Sequence, residues 1–206
     1  MKNTEIGKFF VVALFAAVVA SLISICAVNF FAAEKTQDEL IAEYYAAETA
    51  VLVSPHHLRK EMTKGYQDFI LVDLRSQEEY EREHVVGAIN IPAYATPDKS
   101  AYGDVERIVN AFEELGDEKE IVVYCYSMPC MTGRKIGNML AEHDIYVREL
   151  GVGWNEWRYF WTLWNHEHEW ETVKVEDYVV SGSEPGVYEG AELTPTACTA
   201  GGEFDC

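Results

Sequence analysis

Basic residues are scarce in this chain: 16 lysines and arginines stand against 35 acidic residues, a formal net charge of −19 over 206 residues. A surface so short of cations repels phosphate backbones and anionic headgroups, which excludes nucleic acid and electrostatic docking on anionic lipid. The acidity reads as a solvated face that keeps the domain in solution. Also missing is any charge between Phe9 and Ala33, where only Ser21, Ser24 and Asn29 interrupt an apolar run. At ~1.5 Å of rise per residue, that run as a helix exceeds a ~30 Å hydrocarbon core. A cleavable signal peptide has a shorter apolar region, ~7–15 residues, and Phe30 and Phe31 stand where a small-residue exit is needed. The reading is an uncleaved anchor, with cleavage and lipid attachment at Cys26 as alternatives. Lys2 and Lys8 precede the span and Glu34, Asp38 and Glu39 follow it. That asymmetry leaves residues 1–8 cytoplasmic and the bulk of the chain on the extracytoplasmic side.

Cysteine is sparse as well, with five in all. Outside the span they are Cys125, Cys130, Cys198 and Cys206. In an oxidising compartment an even count suggests disulfides, with three connectivities open. Cys198 with Cys206 is the simplest; the alternatives staple the tail over the Cys125 loop or gather four thiolates on a metal. The last has Cys-x4-Cys and Cys-x7-Cys spacings that structural zinc does not favour, so no metal is expected. No internal repeat is visible.

Residues 9–33 are thus a transmembrane anchor and 34–50, rich in Glu, Ala and Leu, a helical stalk. From 51 to 165, short apolar runs alternate with helical patterns. Val51–Val53, Phe69–Val72, Ile89–Ile91, Ile121–Tyr124 and Tyr146–Leu150 read as strands. Helices are expected from Pro55 to about Lys64, after Ser76, over Val105–Leu115, from Gly133 to His143, and from Trp154 onward. Ala93–Gly103 reads as a loop. Strands that are continuous apolar runs between helices predict an α/β fold, a mostly parallel sheet covered on both faces. Residues 166–206 form a C-terminal extension with two cysteines, in which Val173, Val175, Val179 and Val180 fit an edge strand. Ser181–Gly190 reads as extended tail.

In such a sheet, reactive groups lie beyond the carboxyl ends of the strands, where Asp73, Arg75 and Cys125 all fall. Cys125 ends a strand just ahead of a helix, and the positive helix end favours thiolate over thiol. Cys130, five residues on, offers a second thiol that can close a disulfide with it. Arg134 and Lys135 open a helix, where cations oppose the dipole, so anion binding explains them better than stability does. His84 is read as fixing the turn before Gly87, and His166 with His168 as a solvated pair. Trp154, Trp157, Trp161 and Trp164 share one buried helix face.

Three segments in order carry a family likeness: Asp73-Leu74-Arg75 after a strand, His84-Val85-Val86-Gly87-Ala88-Ile89-Asn90-Ile91-Pro92, and Gly151-Val152-Gly153-Trp154-Asn155-Glu156-Trp157. Over Val51 to Trp164 the chain resembles the rhodanese family of sulfurtransferases. The resemblance implies a five-stranded sheet with helices on both faces, no cofactor, and a catalytic cysteine at Cys125. It implies two half-reactions: a thiolate takes the outer sulfur of a donor such as thiosulfate, and a thiol acceptor then removes it. Arg134 and Lys135 would hold the small sulfur anion, and Asp73 with Arg75, matching the family's strand-end pair, would either contact it or form an internal salt bridge that fixes the loop. The family's loop has glycine three and arginine five positions after the cysteine; from Cys125 those positions hold Met128 and Cys130, whereas counting from Cys130 gives Gly133 and Lys135, so Cys125 is favoured as nucleophile with Cys130 as the alternative. Two alternatives remain: a dithiol redox module on Cys125 and Cys130, and a non-catalytic binding domain whose protein partner the sequence does not name.

Overall fold

The structure, a computed structural model, describes residues 2–31, 35–63 and 68–189. The chain divides into two units after Tyr45. In the first, helix α1 spans Lys2–Phe31. Its stretch Lys8–Ile25, at a mean hydropathy of 2.4, is long and apolar enough to cross a membrane. Helix α2, Gln37–Val51, starts where Thr36 Oγ1 accepts from the Glu39 amide (3.3 Å) and Glu39 Oε2 accepts from the Thr36 amide (2.8 Å). This reciprocal cap satisfies two of the amides that a helix start leaves bare.

The second unit runs β1 Leu52–Val53, α3 Pro55–Thr63, β2 Phe69–Asp73, α4 Gln77–Arg82, β3 His84–Val85 and β4 Ile89–Asn90. It continues with β5 Tyr94–Thr96, β6 Lys99–Ser100, α5 Val105–Glu113, β7 Glu120–Tyr124, α6 Thr132–Ala141, β8 Arg148–Leu150, α7 Trp154–Tyr159 and β9 Val179–Val180. The central sheet has five strands in the order β1-β8-β7-β2-β4, and every pairing is parallel. Alternation along the strands splits the core between the two faces. Leu71, Val122 and Tyr124 pack with Leu58 and Met62 of α3 and Trp154 and Trp157 of α7. Val72, Ile121 and Val123 pack with Ile108 and Phe112 of α5 and Ile136 and Leu140 of α6.

Several boundaries move. Val51 belongs to α2 rather than to a strand, and Tyr146 and Val147 precede β8. The loop expected over 93–103 holds the β5–β6 hairpin. The helix stop expected at Gly65 lies outside the described residues. Trp154, Trp157 and Trp161 are buried, as their spacing predicts, but α7 ends at Tyr159 and Trp161 sits on a separate 3₁₀ turn, Trp161–Leu163.

The largest addition concerns Ser181–Gly190, read as extended tail. Its described part, to residue 189, is bound to the domain. The Gly182 amide donates to Glu81 O (2.8 Å) and the Gly87 amide to Pro185 O, while β9 pairs antiparallel with β3. Tyr188 is buried against Tyr178. Turn-rich composition looks like linker, yet here it shapes a strap: Gly182 and Gly186 both take positive φ, a region glycine enters without Cβ strain. His84 is buried under this strap, with its ring nitrogens facing Tyr80 O (2.7 Å) and Glu184 O (3.1 Å). It therefore holds the strap as well as the turn before Gly87, whose φ is +80°. Cys198 and Cys206 lie outside the described residues.

Candidate functional site

The loop between β7 and α6, residues 125–131, lies beyond the carboxyl ends of the parallel strands, as the sheet type requires. Residues of α7 hold its backbone, and Glu79 of α4 holds the Tyr126 side chain. The Trp154 and Asn155 amides donate to Cys125 O and Tyr126 O, each at 2.8 Å. The Glu156 carboxylate accepts from the Met128 amide (3.2 Å) and from the Gly153 amide (3.0 Å), joining the loop to the start of α7. Glu79, whose carboxylate caps α4 by accepting from the Ser76 amide, also accepts from Tyr126 OH (2.5 Å). Gly153 is the closest approach: a Cβ there would lie 2.2 Å from Ser127 N and 2.3 Å from Ser127 Cα. Gly153→Ala is therefore expected to push the loop away and to destabilise the domain by about 1–3 kcal/mol, readable as a fall in thermal midpoint.

Within this frame the two thiols are unequal. Cys125 is 5% exposed and packs in the apolar cluster of α5 and α6. Burial, then the charge on Cys130, pushes its pKa well up. The expectation of a solvent-facing, ionised Cys125 does not match this geometry, because the residue that ends a buried strand stays in the core. Cys130 is partly exposed and unpaired, packed against the edge of the same cluster. Its burial alone raises its pKa, but hydrogen bonds from the Thr132 hydroxyl, the Thr132 amide, Cys125 and the Tyr126 amide together bring it below the ordinary cysteine value. Its place just before α6 adds the positive helix end. The two sulfurs are 3.8 Å apart.

Around Cys130 stands a hydroxyl cluster that the sequence did not disclose. Thr132 Oγ1 is 3.3 Å from Cys130 Sγ, 2.9 Å from Tyr94 OH and 2.7 Å from Tyr102 OH. The two tyrosine hydroxyls are 2.8 Å apart. Each hydroxyl owns one proton. When Cys130 is a thiolate, Thr132 gives its proton to the sulfur and accepts one from a tyrosine, so the cluster orients toward the charge. Thr132→Val should move half-maximal alkylation of Cys130 to higher pH, while Thr132→Ser should leave it near the wild-type value. Valine keeps the shape of threonine without its hydroxyl, and serine keeps the hydroxyl without the methyl, so an effect seen with valine alone belongs to the hydroxyl.

The remaining expected site residues serve the frame. Asp73 accepts from the Arg75 amide (2.9 Å), from Arg75 Nη2 (2.6 Å) and from Tyr124 OH (2.7 Å). Arg75 also donates to Glu83 O (2.8 Å) and lies 4.2 Å over the Trp154 ring. Asp73 is 0% and Arg75 3% exposed, so the pair is an internal clamp, with Arg75 bordering a cavity of about 200 Å³ beside Tyr126. Arg134 Nη1 donates to Met128 O (3.1 Å) and Cys130 O (3.4 Å), stapling the loop from outside. Lys135 Nζ sits 5.6 Å from the centre of the Tyr102 ring. Both cations thus border the Cys130 side of the loop. For a metal, the described residues offer His56, His166 and Glu169, whose donor atoms lie within 4.8 Å of one another. The Arg59 guanidinium already binds that carboxylate, so the cluster has its own cation. His166 is not merely solvated: its ring stacks on His56 at 4.6 Å.

Comparison with known proteins matches residues 54–159 to the rhodanese-like domain family. The HTH-type transcriptional regulator Rv0324 of Mycobacterium tuberculosis is 31% identical over 125 residues, which are 59% of this chain and 50% of that protein. The chain thus spans about half the length of that curated relative. Among solved structures, a protein of Bacillus halodurans is 26% identical with a TM-score of 0.47, covering 59% of this chain and 81% of that one. A rhodanese with anions from E. coli is 30% identical with a TM-score of 0.30, covering 41% and 86%.

Proposed function

Because the chain belongs to the rhodanese-like domain family, we propose that it is a sulfurtransferase that carries sulfane sulfur as a persulfide on Cys130. The observation behind this choice is the contrast between the two thiols: Cys130 is partly exposed with a lowered pKa, whereas Cys125 is buried with a raised one. The thiolate is the nucleophile, so the more acidic and accessible sulfur reacts. Cys130 attacks the outer sulfur of a donor such as thiosulfate; the S–S bond breaks and its electron pair leaves on sulfite. Amides of Tyr126 and Thr132 and the Thr132 hydroxyl stabilise the charged sulfur, in the manner of an anion hole. Lys135 and Arg134, the latter also paired with Glu149 at 3.8 Å, border the loop and supply positive potential for an anionic donor.

A small thiol is the acceptor in this reading. The apolar helix tethers the domain to a membrane with the site on the extracytoplasmic side, and the acidic surface keeps it off anionic lipid. The test is the first half-reaction alone. Reduced full-length protein in detergent, mixed with thiosulfate and no acceptor, should release one equivalent of sulfite per chain. Release of no sulfite, with Cys130 reduced and still open to alkylation, would remove the reading.

A further inference from the structure

The geometry points to a second activity: Cys125 attacks the persulfide on Cys130, so that the domain itself expels the carried sulfur as hydrosulfide and is left with a Cys125–Cys130 disulfide. This rests on the proposed Cys130 persulfide and goes beyond it, because the sulfur then needs no external acceptor. Its basis is position. The Cys125 sulfur lies 3.8 Å from Cys130 Sγ; Cys125 is a buried member of the apolar cluster, and Cys130, packed against that cluster, is the more exposed of the two. A donor arriving from outside therefore loads its sulfur on the outer side of Cys130. Cys125 approaches from within and meets Sγ first, and which sulfur is attacked decides the product. Attack on the outer sulfur would only pass the persulfide inward. Attack on Sγ breaks the bond to the outer sulfur.

The step balances without further reagents. The loaded site holds a Cys125 thiol and a Cys130 persulfide anion. The Cys125 proton first passes to the outer sulfur, which makes Cys125 the thiolate that attack requires; the Cys125 Sγ–Cys130 Sγ bond then forms and the Sγ–S bond breaks with its electron pair leaving on hydrosulfide. The two cysteine sulfurs together lose two electrons, and the sulfane sulfur gains them. Burial that keeps Cys125 protonated in the resting site thus supplies the proton the departing sulfur needs. Hydrosulfide is an acidic leaving group, which favours the break. Bond formation requires the sulfurs to close by about 1.8 Å, from 3.8 Å to about 2.05 Å. Residues 126 and 128 are held by α7, so the approach falls to rotation of the two cysteine side chains and to residues 129 and 130, which lie outside helix and strand. A dithiol reductant returns the pair to thiols, so turnover consumes a sulfane-sulfur donor and a dithiol and yields hydrosulfide.

The experiment uses the full chain in detergent, fully reduced, desalted without air, and given thiosulfate. Hydrosulfide and sulfite are measured, and the peptide holding both cysteines is weighed. Wild type should release one equivalent of hydrosulfide for each sulfite and lose two hydrogens from that peptide, retaining no added sulfur. Cys125→Ser should still cleave thiosulfate, at whatever rate the altered contact with Cys130 allows, yield no hydrosulfide for the sulfite it releases, and hold one extra sulfur on Cys130. If the wild-type peptide keeps the extra sulfur and no hydrosulfide appears, the self-resolving step is wrong although the persulfide reading stands. If neither protein releases sulfite, the persulfide reading falls and takes this step with it. The wild-type measurement decides the matter even should the variant fold poorly.

Discussion

Changing Cys130 to serine is expected to lower sulfite release from thiosulfate by ~10³-fold or more, the scale on which losing a nucleophile acts. A serine hydroxyl in the same place meets the same amides and the same Thr132 hydroxyl, but it does not ionise near neutral pH and attacks sulfur poorly. Changing Cys125 instead should leave the first half-reaction within a few-fold of wild type. Its side chain is buried, a serine hydroxyl there can still donate to the Cys130 sulfur, and no bond to residue 125 forms until the donor has been cleaved. Stopped-flow or end-point sulfite measurement on the two variants separates the roles. Equal loss in both, with folding intact by tryptophan fluorescence, would mean that the thiols act as one unit from the start. Loss in Cys125→Ser alone would restore the strand-end thiol as the nucleophile.

Removing the guanidinium of Arg75 should have the largest effect on stability. Asp73 is wholly buried, and three of the hydrogen bonds to its carboxylate come from the Arg75 side chain, Nε reaching both oxygens and Nη2 one of them. Arg75→Ala leaves that carboxylate without its cation, which in a buried pair costs roughly 3–5 kcal/mol. For a domain of this size the thermal midpoint should fall by roughly 6–20 °C. The loss also frees Glu83 O and uncovers the face of Trp154, next to the amide that holds Cys125 O. Cys125 should therefore become open to alkylation in the variant at temperatures where the wild type protects it. The double variant Asp73→Asn, Arg75→Ala should recover part of the stability, because the stranded charge is then gone. A double variant as unstable as Arg75→Ala alone would show that lost packing, and not charge, sets the cost.

The sheet was legible because its inner strands carry the simplest signal a chain can give. Phe69–Val72 and Ile121–Tyr124 are unbroken apolar runs, and both became central parallel strands. The position of the loop followed from that, since such sheets place reactive groups beyond the carboxyl strand ends. The hairpin Tyr94–Ser100 was not legible: only Tyr94 of the β5 strand is part-buried, β6 is exposed, and no alternation marks them. The strap to residue 189 was lost because its attachment is mostly backbone hydrogen bonding, which composition does not report. The hydroxyl cluster joins Tyr94, Tyr102 and Thr132 from a hairpin, a turn and a helix start, and no spacing in the chain predicts their meeting. The cysteines show the same limit. Two thiols five positions apart signalled paired chemistry, but which one faces water depended on how α7 and α6 close on the loop. Met128 and Cys130, at positions where the family carries glycine and arginine, were the visible sign that this loop differs.

The ranking of the two thiols is tested most directly by graded alkylation of the native, reduced protein across pH, followed by weighing the peptide that contains both. Cys130 should be capped first, with its half-maximal rate at a pH below that of an ordinary cysteine, and Cys125 only once the protein unfolds. Capping of Cys125 ahead of Cys130 in the folded protein would contradict the account.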